Sequence, residues 1–174
     1  MNLGIEECKK MFFYSVVKLN TIIKCNDNVS WVLVFEGENN EKIGITQMGI
    51  WTFNDNNKFY LLNEQKKYLY TVKLLEYSYD LIEKKITDKF SYMFDNQELC
   101  VSDIFPFYEI VAFAFEFMNN DYWIELGWNW YDKLNIYEKN KLIYLLENIV
   151  NNKRFSQKNR QKARKEINNV KFVF

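Results

Sequence analysis

The chain has 174 residues, 48% of them hydrophobic and 18% aromatic, with 23 basic and 23 acidic side chains and no histidine. That length fits one globular domain that buries its own core, and the apolar share excludes a disordered chain. Without histidine, Ser–His, Cys–His and typical zinc-hydrolase chemistry are excluded, since the usual neutral-pH base and commonest metal ligand is missing.

Near the start, Ile5, Cys8, Phe12, Val16, Leu19 and Ile23 recur at steps of three and four, which predicts an N-terminal helix. Ser15 and Lys18 in that segment have Ser-x-x-Lys spacing, but no Lys-Thr-Gly companion follows, so they read as one helical turn. Glu6 and Glu7 stand where a secretion signal would be basic, and a cytoplasmic protein is expected. Residues 30–36, Ser-Trp-Val-Leu-Val-Phe-Glu, are β-branched and aromatic and predict a strand. Lys42 to Gln47, Ile50 to Phe53 and Lys58 to Leu62 follow, separated by Gly37, Asn39-Asn40 and the Asn54–Asn57 cluster, as in an antiparallel meander.

From Asn63 the period changes. Leu69, Val72, Leu75, Tyr79, Ile82 and Ile86 describe one long amphipathic helix with Asn63 as its cap. A third helix is expected from a cap at Asp103, with Pro106 in its first turn and Phe107, Ile110, Val111, Ala114, Phe115 and Met118 on its apolar face. The run from Ile104 to Met118 is too short to span a bilayer, and it contains Glu109 and Glu116. Asn135 with Glu138 predicts a capping box ahead of Leu142, Leu145, Leu146 and Ile149. Ser156 starts a last, basic helix, and Val170 to Phe174 is expected as a final strand. The fold class is therefore α+β and helix-dominated: an N-terminal helix, a small antiparallel β-meander at about 30–62, then a helical C-terminal half. One domain is expected over 1–174, with a basic C-terminal helix or tail at 153–174.

Cys8, Cys25 and Cys100 are odd in number and far apart, which suits reduced thiols acting as small buried hydrophobes. With no Cys-x-x-Cys pair, P-loop or Gly-x-Gly-x-x-Gly run, no metal and no cofactor are expected. Glu109 and Glu116, seven residues apart on one helix, are the one carboxylate pair that could serve a hydrolase.

Charge is unevenly spread. Lys153, Arg154, Lys158, Arg160, Lys162, Arg164, Lys165 and Lys171 face only Glu166 in their segment. Asp95, Glu98, Asp103, Glu109, Glu116, Asp121, Glu125, Asp132 and Glu138 have Lys133 alone among them. Interleaved with those acids, Tyr122, Trp123, Trp128, Trp130 and Tyr131 place five large aromatics within ten residues. Tryptophan and tyrosine dominate binding hot spots, and carboxylates steer a cationic partner. The expected partner-binding set is therefore Glu109, Glu116, Asp121, Trp123, Glu125, Trp128, Trp130 and Asp132.

In this general character the chain resembles the immunity proteins of bacterial polymorphic and contact-dependent toxin systems, on the strength of the 95–138 acid tract and the 121–132 aromatic segment. The resemblance implies a protein that is not an enzyme and that neutralises a cognate, cationic toxin domain, for instance a nuclease, by covering it. Such proteins are diverse in fold, so it implies no architecture. The alternative partner is nucleic acid, held by Lys158, Arg160, Lys162, Arg164 and Lys165; the acidic body argues against it. A carboxylate-dependent enzyme is the third reading.

Overall fold

The computed structural model describes residues 14, 22–24, 29–46, 48–55, 58–63, 68–94 and 100–172. Most of the expected N-terminal helix lies outside these residues, as do Ser15, Lys18, Cys8 and Cys25. Its last position, Ile23, lies in a strand instead. The described residues form an α+β structure in which helices dominate. They fall into two compact units, one drawn from residues up to Tyr70 and from Asp80–Pro106, the other from Thr71–Tyr79 and Phe107 onward.

The first unit carries the expected meander. Strands β1 (Ile22–Lys24), β2 (Ser30–Glu36), β3 (Lys42–Thr46), β4 (Trp51–Asp55) and β5 (Lys58–Leu61) pair antiparallel in chain order. Val32, Ile45 and Trp51 stand opposite one another across three strands, and Phe35, Ile43 and Phe53 form the next row. All six are buried. Alternation puts Ile43 and Ile45, and Trp51 and Phe53, on one face, and a register shift between Leu33 and Phe35 brings Phe35 to the same face as Val32. Helix α1 (Tyr68–Thr71) follows; the 3-10 segment after it, Val72–Glu76, belongs to the second unit, and helix α2 (Tyr79–Phe94), in the first unit from Asp80 on, buries Ile82, Ile86 and Phe90 along one stripe. Helix α3 (Val101–Ile104) is short. The Trp51 indole N–H donates to the Ile104 carbonyl, and the ring meets Phe105 edge-on at 4.9 Å.

On the opposite sheet face the Trp31 ring lies across Gly44, where a Cβ would collide with the indole and with the Val32 carbonyl. Gly44 is there to let that ring lie flat on the sheet.

Two expected helices are interrupted. The long helix from Asn63 breaks at Tyr77, whose backbone is extended (φ −91°, ψ 150°). The Tyr77 carbonyl accepts the Trp130 indole N–H at 2.9 Å, so a distant donor replaces the bond a helix would have supplied. The helix expected from Asp103 is also two pieces. Cys100 caps α3, with Asp103 at its third position, and the chain is extended at Phe105 before α4 (Phe107–Phe117). Pro106 accounts for the interruption, because a residue preceding proline is driven out of the helical region. Cys100 is exposed rather than buried, its thiol bonded to Asp103 at 2.8 Å.

The second unit is helical: α4, α5 (Asp121–Tyr131), α6 (Ile136–Lys141), α7 (Ile143–Asn151) and α8 (Gln157–Lys171). The Asn135–Glu138 capping box opens α6, and Ser156 caps α8 by accepting from the Asn159 N–H. Val170 and Lys171 end α8, so these two residues are helical where the final strand was expected to begin; Val173 and Phe174 lie outside the described residues. Between α4 and α5, Gly127 faces Phe115 and Ala114; a Cβ at Gly127 would sit 2.8 Å from the Phe115 ring, so glycine permits the close approach.

Gly44→Ala is expected to destabilise the protein by about 3 kcal/mol in urea unfolding, since the methyl overpacks a ring and a backbone carbonyl; a loss under about 0.5 kcal/mol would contradict the packing described.

Candidate functional site

Helix α5 carries most of the residues singled out in the sequence, and its packing separates them. Ile124, Trp128 and Tyr131 share one stripe, Gly127 and Trp130 the next, and all five are buried. Phe115 lies 4.7 Å from Trp128, and Phe107 packs edge-on to Trp130 at 5.3 Å. Trp128 is 3% exposed and Trp130 0%, which corrects the expectation that these indoles face a partner. They are core side chains whose N–H groups are satisfied inside the protein, as buried tryptophans require. Trp123 is half-buried, with Tyr122 edge-on at 5.0 Å.

The acids of α5 are also engaged. Asp121 accepts the Ser156 backbone N–H at 3.0 Å and the Asn159 amide at 2.6 Å. Asn159, almost fully buried, in turn accepts the Trp128 indole N–H at 3.0 Å. The Ser156 N–H and the Asn159 amide hold the Asp121 carboxyl below its usual range. This places an anion at the N-terminus of α8, where the helix dipole favours it. Further along, Glu125 pairs with Lys158 at 3.0 Å and Asp132 with Lys162 at 2.9 Å. Lys162 also lies 5.0 Å over the Trp128 ring. Three of the acids expected to draw a partner thus bind the chain's own basic helix.

Glu109 and Glu116 lie elsewhere, exposed on α4. There the structure brings together residues the sequence reading passed over. Tyr108 is half-buried and Tyr144 is 52% exposed. Burial raises the Tyr108 hydroxyl pKa, and Tyr144, Glu109, Glu116 and Glu138 raise it further. Tyr144 is raised by burial and then by Glu116. The ammonium of Lys141 stands 5.7 Å over the Tyr108 ring. Tyr137 on α6 is 70% exposed. The result is a surface on α4, α6 and α7 where tyrosines stand among carboxylates, with Lys141 of α6 over one ring. Glu138 was legible in sequence as a cap and as the last acid of the 95–138 tract, and Tyr108 and Tyr144 lay in apolar helices where nothing distinguished a surface ring from a core ring.

Comparison with protein-family models, characterised proteins and solved structures finds no match. Function is therefore argued from this geometry. Among the described residues, no helix is long and apolar enough to cross a membrane, and no group of three or more Cys, Asp or Glu is placed to hold a metal ion.

Two expectations concern the α5–α8 junction. Because the folded Asp121 pKa is depressed, its stabilisation is complete above the unfolded value near ~3.9 and fades as pH falls through the folded value. The stability gap between wild type and Asp121→Ala should be widest near neutrality and close below about pH 4 in denaturant titrations; a gap independent of pH would remove the charge from the account. Tyr131 is fully buried, and its hydroxyl has no hydrogen-bond partner among the described residues. Tyr131→Phe should therefore keep or raise the unfolding free energy in urea titrations, by up to about 1–3 kcal/mol of recovered desolvation, whereas a clear loss would reveal a bond to that hydroxyl.

Proposed function

We propose that this chain is a non-catalytic, cytoplasmic binding protein of the immunity type, which neutralises a cationic protein partner by covering it. The supporting observation is the tyrosine face: Tyr108 and Tyr144 set among Glu109, Glu116 and Glu138, with Tyr137 exposed on the neighbouring helix. Tyrosine supplies large contact area at low entropic cost, and surrounding carboxylates give a basic partner its approach and register. A nuclease domain has the required character, because a protein that grips phosphates presents lysine and arginine. The binding face moves from Trp128 and Trp130 of α5, which are core, to the tyrosines beside Glu109 and Glu116.

The test is co-expression with the product of the reading frame directly upstream, followed by binding kinetics on the purified pair. Growth arrest by that product alone, relieved by this chain, is the expected phenotype. Tyr144→Ala should cost about 2 kcal/mol of affinity, and Glu109→Lys with Glu116→Lys should slow association most at low salt. Charge reversal at Glu125 and Asp132 should instead loosen α8 and leave association unchanged. Unaltered affinity across the Tyr144 and Glu109/Glu116 variants would sink the proposal.

A further inference from the structure

We infer that α8 is a nucleic-acid-reading helix, whose outward face takes the major groove of double-stranded DNA. The inference uses none of the residues of the tyrosine face, so the two readings fail independently.

Helix α8 buries Asn159, Ala163, Ile167 and Val170, which fall on one side at 3.6 residues per turn. The same geometry turns Gln157, Gln161, Arg164, Lys165 and Asn168 outward. Every exposed side chain between Gln157 and Lys171 is an amide or a cation: Gln157, Lys158, Gln161, Arg164, Lys165, Asn168, Asn169 and Lys171. The one acid in the helix, Glu166, is half-buried and accepts from Asn169. Three of the cations are tied down: Lys158 to Glu125, Lys162 to Asp132 and Lys171 to Glu147. These pairs join the helix to Glu125, Asp132 and Glu147 of the same unit and use up part of its positive charge. Arg164 and Lys165 are exposed and make no ion pair among the described residues. Lys153 and Arg154, also exposed, extend the positive surface through the turn before α8.

That chemistry selects among polyanions. A protein interface would present aromatic or aliphatic anchors, and a lipid surface would need an exposed apolar stripe. Helix α8 has neither; the first exposed apolar side chain is Phe172, beyond its end. Arginine and lysine suit phosphates and guanine, while glutamine and asparagine match the adenine N6 and N7 pattern. From Gln157 to Asn168 the face runs about 16 Å, the length of about five stacked base pairs, and an α-helix fits the B-form major groove. Duplex RNA is excluded by the same argument, since its major groove is too narrow for a helix.

The experiment uses the full chain and a labelled 20-base-pair DNA duplex of mixed sequence, read by fluorescence anisotropy. Saturable binding with a micromolar Kd is expected at about 50 mM salt, with a log–log salt slope of about −3 for three to four phosphate contacts. Arg164→Ala with Lys165→Ala should weaken it at least about tenfold while the circular dichroism spectrum stays unchanged. Gln161→Ala with Asn168→Ala should leave this Kd in place and flatten the sequence preference recovered from a randomised duplex pool. No binding at about 100 µM protein and low salt overturns the inference, as does a Kd unmoved by the Arg164/Lys165 variant. Equal affinity for duplex DNA, duplex RNA and heparin would also overturn it, because charge alone would then be the whole of the interaction.

Discussion

The carboxylate of Asp121, at the start of α5, reaches 35 residues along the chain to the first turn of α8. It accepts the Ser156 N–H and one amide proton of Asn159, whose carbonyl oxygen accepts the Trp128 indole. Each member satisfies a group the next would otherwise leave orphaned, and in a buried setting an orphaned amide or indole costs about 1–3 kcal/mol. The network has one register. Shifting α8 by a single residue would withdraw Asn159 from Trp128 and bring a different side chain beneath the indole. Once that register is set, Lys158 and Lys162 arrive opposite Glu125 and Asp132.

The ion pairs follow from this arrangement rather than causing it. The side chains of Lys158 and Glu125 are 77% and 47% exposed, and exposed pairs of this kind contribute about 0–1 kcal/mol each. Burial of Trp128, Phe155, Ala163, Ile167 and Val170, together with the Asp121–Asn159–Trp128 chain, holds the helix. The pairs consume charge. They turn the acidic aromatic segment and the basic tail, opposed in the sequence, into one seam.

Strands β2 to β5 were legible because strand alternation is local: Val32, Ile43, Ile45, Trp51 and Phe53 announce their own inward face, and Asn39-Asn40 announces its own turn, whereas β1, at Ile22–Lys24, was read as the end of a helix. The capping box at Asn135 and the cap at Ser156 were legible for the same reason. The breaks were less so. Tyr77 leaves the helix for the indole of Trp130, a partner 53 residues away that no window of sequence contains. Pro106 did carry a local warning, but one that a first-turn position also satisfies. The site was half visible. Glu109 and Glu116 were recognisable as acids on a helix edge, but an apolar helix bearing Tyr108 or Tyr144 looks the same whether the ring turns inward or out. The tryptophans misled for a related reason, since the residues that dominate interfaces are also those that fill cores.

A formal charge of zero therefore describes a molecule with chemically distinct outer surfaces rather than a neutral one. On α4, α6 and α7 the carboxylates stand beside tyrosine rings, and a ring offers apolar area as well as a hydroxyl, so that face favours a folded protein with its own basic side chains. On α8 the cations stand beside amides, with no ring and no aliphatic side chain exposed between Gln157 and Lys171. A face of amides and cations, with apolar area only in their stems, gains little by burying another protein. It gains most where the partner is a regular array of acceptors, as phosphates and base edges are. What separates the two surfaces is this difference in apolar content, more than the sign of the charge. It has a structural origin: the aromatic residues of the second unit were spent largely on fixing α5 against α4 and α8, leaving tyrosines exposed only where the helices turn away from that core.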